Sequence, residues 1–528
     1  MNLKKAFLLI ACSLSFNVLI AQDFNTNYQQ GKAAFQSGNY KNAIKLLQDA
    51  RMMGSDQSNT PEFFETLNYL AQSYEKLKRY NNAYTYYTSL STKLTQTGND
   101  RTAPYAELQV NMGEVLMNMR RYEEAAKIFT AALPIIEGTK GIKSPLYITA
   151  LQNASMIYSR MQVYDMALSH YEKLIPLSKE VYKGAGEQYA KVLLEATNLY
   201  VHIKKQEQAL AYSNEAIEVL SKASLNGWLS MAYQQRALIY EHLKNQEQMT
   251  QDLKSYVEHS ADNIAKEQKA LQYSIHKLEA IKGYDAIYDF QLIELELLKK
   301  AHGEESEEIA KQYEHIAKNL IKGNRQEEAI TFYQKGLLIY KESSLPHMQT
   351  LMEIADLSAA IDNIPQAEEY YQKATNMMEK HLSVSHPAYL EGVTKLVRLY
   401  TDTQQYEKAK PLHKVATDGV MKSLGKDHGL YAENLACSAW FKLQEEGTEE
   451  EAYQLLEQAS KMKKRFYGSY SLEYALSVKE LGDAKRKKKA SEALAHYKQA
   501  KILMNSAKAS THKAVKVIDE QIEQLSAQ

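Results

Sequence analysis

Fourteen histidines and two cysteines are the residues through which this 528-residue chain could hold a metal or attack a carbonyl carbon. A zinc site needs such side chains at short, regular spacing, and the chain has neither His-Glu-x-x-His nor Cys-x-x-Cys. His381 and His386 stand five apart across a break in the helical pattern and read as structural. Cys437 lies in Ala-Cys-Ser-Ala-Trp, inside a helical stripe, and reads as a buried, inert thiol. Gly184-Ala-Gly186 lacks the strand and third glycine of a dinucleotide loop, and Gly31-Lys32 lacks the upstream glycine of a phosphate loop. The expectation is a protein with no catalytic residue, cofactor or metal.

Charge gives the same answer. The chain carries 64 basic and 64 acidic residues, a balance that argues against nucleic acid as partner. One basic run, Lys485 to Lys489, invites an anionic ligand. Glu445, Glu446 and Glu449 to Glu451 occupy the equivalent turn one repeat earlier, so mutual neutralisation is the reading.

The elements that would position any site are helical hairpins. In Leu67 to Leu90, Leu67, Leu70, Ala71 and Tyr74 recur on one helical face. Lys78 to Asn82 break the pattern, and Ala83, Tyr87 and Leu90 begin a second face. Small residues let the two helices approach and tyrosines fill the space between them. Such a hairpin cannot bury its apolar face alone. The position of Ala83 recurs at Ala43, Ala125, Ala167, Ala209, Met249, Ile287, Ala329, Ala367, Ala409, Ala452 and Ala493, at steps of 38 to 43 residues. A fixed period in this range marks a solenoid.

The repeated residues resemble the tetratricopeptide repeat. The first copy supplies Gly31, Tyr40, Ala43, Leu47 and Ala50; the third Met112-Gly113, Tyr122, Ala125, Phe129 and Ala132. The fourth supplies Ala154, Tyr158, Tyr164, Ala167 and Tyr171, and the tenth Leu396, Tyr400, Tyr406, Ala409 and Ala416. The connectors at 301–306, 382–387 and 424–429 resemble the Leu-Gly-x-x-His-Pro element of kinesin-light-chain-type repeats, with His-Pro kept only at His386-Pro387. The resemblance implies an all-α, right-handed solenoid of about twelve hairpins. Its family association also implies an alternative role, as an accessory or substrate-recruiting subunit of a separately encoded CHAT-type peptidase or signalling protein.

Lys4-Lys5, the apolar run Ala6 to Ile20 and Ala21 read as a secretory signal at residues 1–21. Its removal leaves 62 basic and 64 acidic residues and Cys437 as the only cysteine. Export to the periplasm is expected, with a lipid anchor through Cys12 as the alternative, and no membrane span in the mature chain. The array divides into repeats one to six (22–257), a degenerate seam (258–304) where Ile287 replaces the small residue as Met249 does just before it, later repeats (305–507), and an amphipathic cap helix (508–528). Pro134 and Pro176, late in second helices, are expected to end or kink them.

The expected function is that of a non-enzymatic scaffold holding a protein or peptide of unknown identity along its first helices. The residues expected to line the groove are Asn68, Gln72, Val110, Met117, Gln152, Met156, Leu194, Asn198, Met231, Gln234 and Leu238, apolar groups interleaved with amides. Val201 shares that register. Later repeats offer Lys311, Glu314, Lys318, Asp356, Glu391 and Arg398, a charged wall.

Overall fold

A computed structural model describes residues 24–54, 58–261, 263–509 and 512–527. The signal-peptide reading and Cys12 fall outside them. The described residues form helices and no strands. The chain divides into two compact units, Met1–Ala270 and Leu271–Gln528. The division falls within the helix Ile264–Ala280, which belongs to the stretch 258–304.

In the first unit, a helix over 24–36 pairs with Tyr40–Met53, Pro61–Lys76 with Tyr80–Gln96, and Ala103–Asn118 with Tyr122–Lys140. Pro145–Arg160 pairs with Tyr164–Val181, Gly186–His202 with Gln206–Lys222, and Asn226–His242 with Gln246–Glu258. In the second unit, after Tyr284–His302, Glu307–Lys322 pairs with Gln326–Leu337, and Leu345–Ala360 with Ile364–His381. Pro387–Asp402 then pairs with Tyr406–Ser423, Gly429–Lys442 with Glu449–Tyr467, and Leu472–Lys485 with Ala490–Ser506. A last helix, Lys513–Ser526, lays Ala514 and Ile518 on the final hairpin beside Tyr497 and Met504. Ile264–Ala280 and Tyr284–His302 follow one another between these runs, so the described residues hold helices for twelve pairs in sequence, and the chain is an all-α solenoid.

The hairpins close tightly because their small residues leave room. Ala83, Ala125, Ala167, Ala209, Ala329, Ala367, Ala409, Ala452 and Ala493 are all fully buried. At Gly113 an added Cβ would stand 2.6 Å from the ring of Phe129, and at Gly31 2.6 Å from Leu47. Any larger residue there forces the helices apart. Met249 and Ile287, which replace the small residue, are also buried.

Each first helix needs an acceptor for its unbonded N–H groups. Thr60, Thr102, Ser144, Ser344 and Ser471 supply a hydroxyl to the third residue on, at 3.2 to 3.4 Å. At His386, His428 and His512 an imidazole does the same work. Nδ1 accepts from the N–H of Ala388, Leu430 and Ala514 at 3.2, 3.2 and 3.1 Å. This fixes the role of His386 and His428 in the connectors: they start helices, whereas His302 closes the helix Tyr284–His302. Proline enters first helices at their first turn in Pro61, Pro104, Pro145, Pro346 and Pro387, where its missing N–H costs nothing.

Pro134 and Pro176 do not end their helices. Tyr122–Lys140 and Tyr164–Val181 run through them. Both rings lie on the exposed side, so the carbonyl that loses its partner can turn to water, and packing on the buried side carries the helix across.

The acidic and basic turns of the last hairpins neutralise one another as the sequence indicates. Lys488 pairs with Glu449 and Lys489 with Glu450 at 2.9 Å, while Lys485 bridges Glu457 and Glu492 at 3.1 and 2.9 Å.

Candidate protein-binding face

The first helices of hairpins three to six touch one another in turn, as do those of hairpins nine to eleven, so their outward residues form a strip along each of these runs. In the first unit the strip is part of what the sequence pattern indicates. Asn68, Gln72, Met117, Gln152, Met156, Gln234 and Leu238 are half-buried, Asn198 is exposed, and Met231 is 46% exposed. Val110 and Leu194 are not on it. They are 2% and 3% exposed, Val110 packed in the core with Phe129 and Ala154, Leu194 in the core with Tyr171 and Leu229. At these two positions the helix turns its side chain between hairpins rather than away from them.

The strip also holds carboxylates that the pattern does not single out. Gln152 Nε2 donates to Glu195 at 2.9 Å, and the Tyr171 hydroxyl bonds the same carboxylate. Burial raises the Glu195 carboxyl to about 7, against the opposing pull of the Gln152 amide and of Arg160 and Lys191. Glu114 accepts from Asn153 Nδ2 at 3.1 Å, and burial raises it too. Glu114 stands in the register of Gln72, Met156 and Asn198, 42 residues apart, and that register is the signal by which it could have been found. Among the amides, Gln72 bonds Asn68 at 3.3 Å and Gln235 bonds Asn198 at 3.1 Å.

In the second unit most of the charged wall is paired. Lys311 meets Glu307 at 2.8 Å, and Lys395 holds Asp356 at 2.8 Å and Glu391 at 3.0 Å. Arg398 is tied to Glu480 at 2.7 Å, Glu433 at 3.2 Å and Asp402 at 2.9 Å. Lys463 closes the group on Glu433, and the Trp440 indole N–H donates to Glu480 at 2.6 Å. This network joins three successive hairpins internally and leaves Arg398 no open geometry for a ligand. A cavity of about 280 Å³ does open beside it, lined among others by Glu314, Lys318, Tyr333, Glu353, Asp356 and Lys395.

The nearest approach to a nucleophile–base pair is Ser438 Oγ with His413 Nε2, at 3.0 Å. The same nitrogen lies 2.8 Å from the carbonyl of Asn434, to which it must donate, so it holds a proton and cannot take one from the serine. Cys437 is fully buried and unpaired, and burial pushes its thiol up to about 12. Among the described residues no three His, Cys, Asp or Glu side chains are grouped to hold a metal, and no helix is long and apolar enough to cross a membrane.

Tandem hairpins with strips of first-helix side chains define a helical-repeat scaffold, a protein-interaction fold. A tetratricopeptide repeat family model matches residues 104–180, the third and fourth hairpins. Solved structures with similar helical repeats include BtubC (BKLC) from P. vanneervenii, 13% identical over 45% of this chain and 91% of that one, TM-score 0.36. The apo form of RapI is 16% identical over 59% and 98%, TM-score 0.38, and yeast Tom70 14% identical over 96% of each, TM-score 0.30. No curated protein matches the sequence.

Proposed function

We propose that this chain is a non-enzymatic, exported scaffold that holds an extended or helical segment of a protein partner along the first helices of hairpins two to six. The observation that carries this reading is the accessible strip of Met117, Met156, Met231 and Leu238 interleaved with Asn198, Gln152 and Gln234. Thioethers and a leucine adapt to apolar side chains, and amides can bond a peptide backbone. The basic and apolar opening of the sequence supports export.

The test is a triple variant, Met156→Ser, Asn198→Ala and Leu238→Ser. Photo-methionine placed at Met156 in the otherwise wild-type chain should crosslink a partner in the expressing cell. The triple variant should lose co-purification of that partner with a melting temperature within a degree or two of wild type. A partner retained in full, or a fall of many degrees, would assign these side chains to packing. Intact mass of the protein from its own cell should lack residues 1–21.

A further inference from the structure

A tyrosine follows the small residue of the second helix by four positions in five hairpins. Four of the five hydroxyls bond a carboxylate: Tyr87 to Glu75 at 2.9 Å, Tyr171 to Glu195, Tyr371 to Asp356, and Tyr497 to Asp483 at 2.8 Å. The fifth, Tyr333, is 1% exposed and its hydroxyl has no partner. A buried, unpaired phenol is costly, and the fold leaves this one at a cavity. Tyr333 lines the space of about 280 Å³ between the first helices Glu307–Lys322, Leu345–Ala360 and Pro387–Asp402.

We propose that this cavity is a subsite for a basic side chain, Arg or Lys, carried by a protein partner. The inference rests on the reading that the first helices hold a protein partner; it adds, on hairpins eight to ten, a point of contact separate from the strip of hairpins two to six.

Charge decides the class of ligand. Glu314, Glu353, Asp356 and Glu391 face the cavity against only Lys318 and Lys395. Lys395 is committed to Asp356 and Glu391. Glu353 makes no hydrogen bond or ion pair among the described residues and lies, with Glu314 and Asp356, among the charges acting on the Tyr333 phenol. An anionic group would meet these carboxylates head-on. An apolar one would leave Glu353 and the phenol oxygen without partners. A guanidinium or ammonium satisfies both, donating to the carboxylate and to the hydroxyl oxygen.

The walls suit the stem of such a side chain. Met352 and Met378 line the cavity and offer thioethers for methylenes to lie against. Entry costs little, because Lys318 is 55% exposed and reaches Glu314 only at 3.7 Å. An incoming cation can take its place while Lys318 swings into water.

The experiment is selection of random twelve-residue peptides, displayed on phage, against the full chain, followed by affinity measurement of the selected peptides on wild type, Glu353→Gln and Tyr333→Phe. The expected result is peptides rich in Arg or Lys that bind Glu353→Gln at least fivefold more weakly and Tyr333→Phe about threefold more weakly, with unchanged circular dichroism. Spermidine, a free polyamine, should compete only at far higher concentration than the peptides. Basic peptides indifferent to both substitutions would overturn the subsite, as would spermidine binding as tightly as they do. Selected peptides without basic residues would also sink it while leaving the scaffold reading intact. A library that enriches nothing over a control protein would instead bring down the scaffold reading together with the subsite. Tyr333→Phe keeps the packing of the ring, so it still decides the matter if Glu353→Gln fails to fold.

Discussion

Two single residues carry the sharpest tests. Cys437 has no exposed surface, and burial holds its thiol well above neutral pH, so little thiolate exists and none is reachable. A maleimide reagent at pH 7.5 should label native protein at least a hundredfold more slowly than protein in guanidinium; comparable rates would reopen a reactive-thiol role. Glu195 titrates where it can be watched. Its carboxyl moves from an ordinary 4.5 to about 7 on folding, so between those values the folded protein binds a proton that the unfolded chain does not. The stability this carboxyl contributes is therefore fully present below about pH 4.5 and is lost as pH rises through about 7. A shift of this size corresponds to at most about 3 kcal/mol. Glu195→Gln mimics the protonated acid. It should raise the melting temperature relative to wild type at pH 8 and leave it nearly unchanged at pH 5, and parallel pH profiles would reject the assignment. The binding strip was only partly legible at this scale for a geometric reason. Successive residues of a helix point about 100° apart, so a pattern that places the helix correctly can still turn Val110 and Leu194 inward. Glu195 and Glu114 were missed because charge alone argues for solvent, and nothing in a sequence displays the Gln, Asn and Tyr donors that bring a carboxylate inside.

At the scale of the hairpin the sequence was read almost completely, because its rules are local. A small residue at a fixed step, a tyrosine four later and a polar break between helices are each visible without tertiary knowledge. The break has a further regularity that only the backbone reveals. Lys78, Arg120, Gln162, Lys204, Lys244, Lys282, Asn324, Asp362 and Gln404 all sit at φ between 57° and 62°, the left-handed turn that ends a first helix. Glycine is the usual residue there, and a lysine carries about 1–2 kcal/mol of backbone cost. The start of the helix gives the clearer prediction. His386 holds the N–H of Ala388 as Ser344 holds that of His347 one hairpin earlier. His386→Ala should destabilise its unit by about 1 kcal/mol, read as a lower denaturant midpoint, and His386→Ser should recover most of the loss. Equal effects of the two substitutions would mean that the imidazole contributes by packing and not as a cap. The prolines teach the opposite lesson. A strong local signal at Pro134 and Pro176 yields to the apolar side of the helix, where Ala132 and Ile136 beside the first proline and Leu174 and Ser178 beside the second stay buried.

Across the molecule most contacts join neighbouring hairpins, although Lys513 of the last helix also reaches Asp362 at 3.0 Å, so cooperativity is largely a matter of how well each hairpin hands its core to the next. Within the first unit the clusters overlap in sequence: one ends at Val115, the next spans Ala106 to Ile157, and the third begins at Ile148. The second unit has its own series, from Leu295 to Ile518. Each series contains enough hairpins to bury a continuous core by itself. Between them lies the stretch where the small residue is replaced by Met249 and then Ile287, and where the compact units divide at Ala270. The hairpin of Asn226–His242 and Gln246–Glu258 stays closely packed around Met249, so the expectation of a weak seam rests on the larger buried side chains and on where the compact units divide. Two unfolding transitions are therefore expected from the full chain by calorimetry. Fragments 22–257 and 301–528, expressed separately, should each be helical and monomeric and should each reproduce one of the two. Fragments that aggregate unfolded, or a single transition that no fragment reproduces, would show that the seam couples the two series as tightly as any other hairpin does. Restoring the small residue supplies the converse. Met249→Ala and Ile287→Ala each remove buried volume and should lower stability by about 2–5 kcal/mol if the surroundings stay put. If instead the hairpins close on the smaller side chain, the cost shrinks and the two transitions should move together.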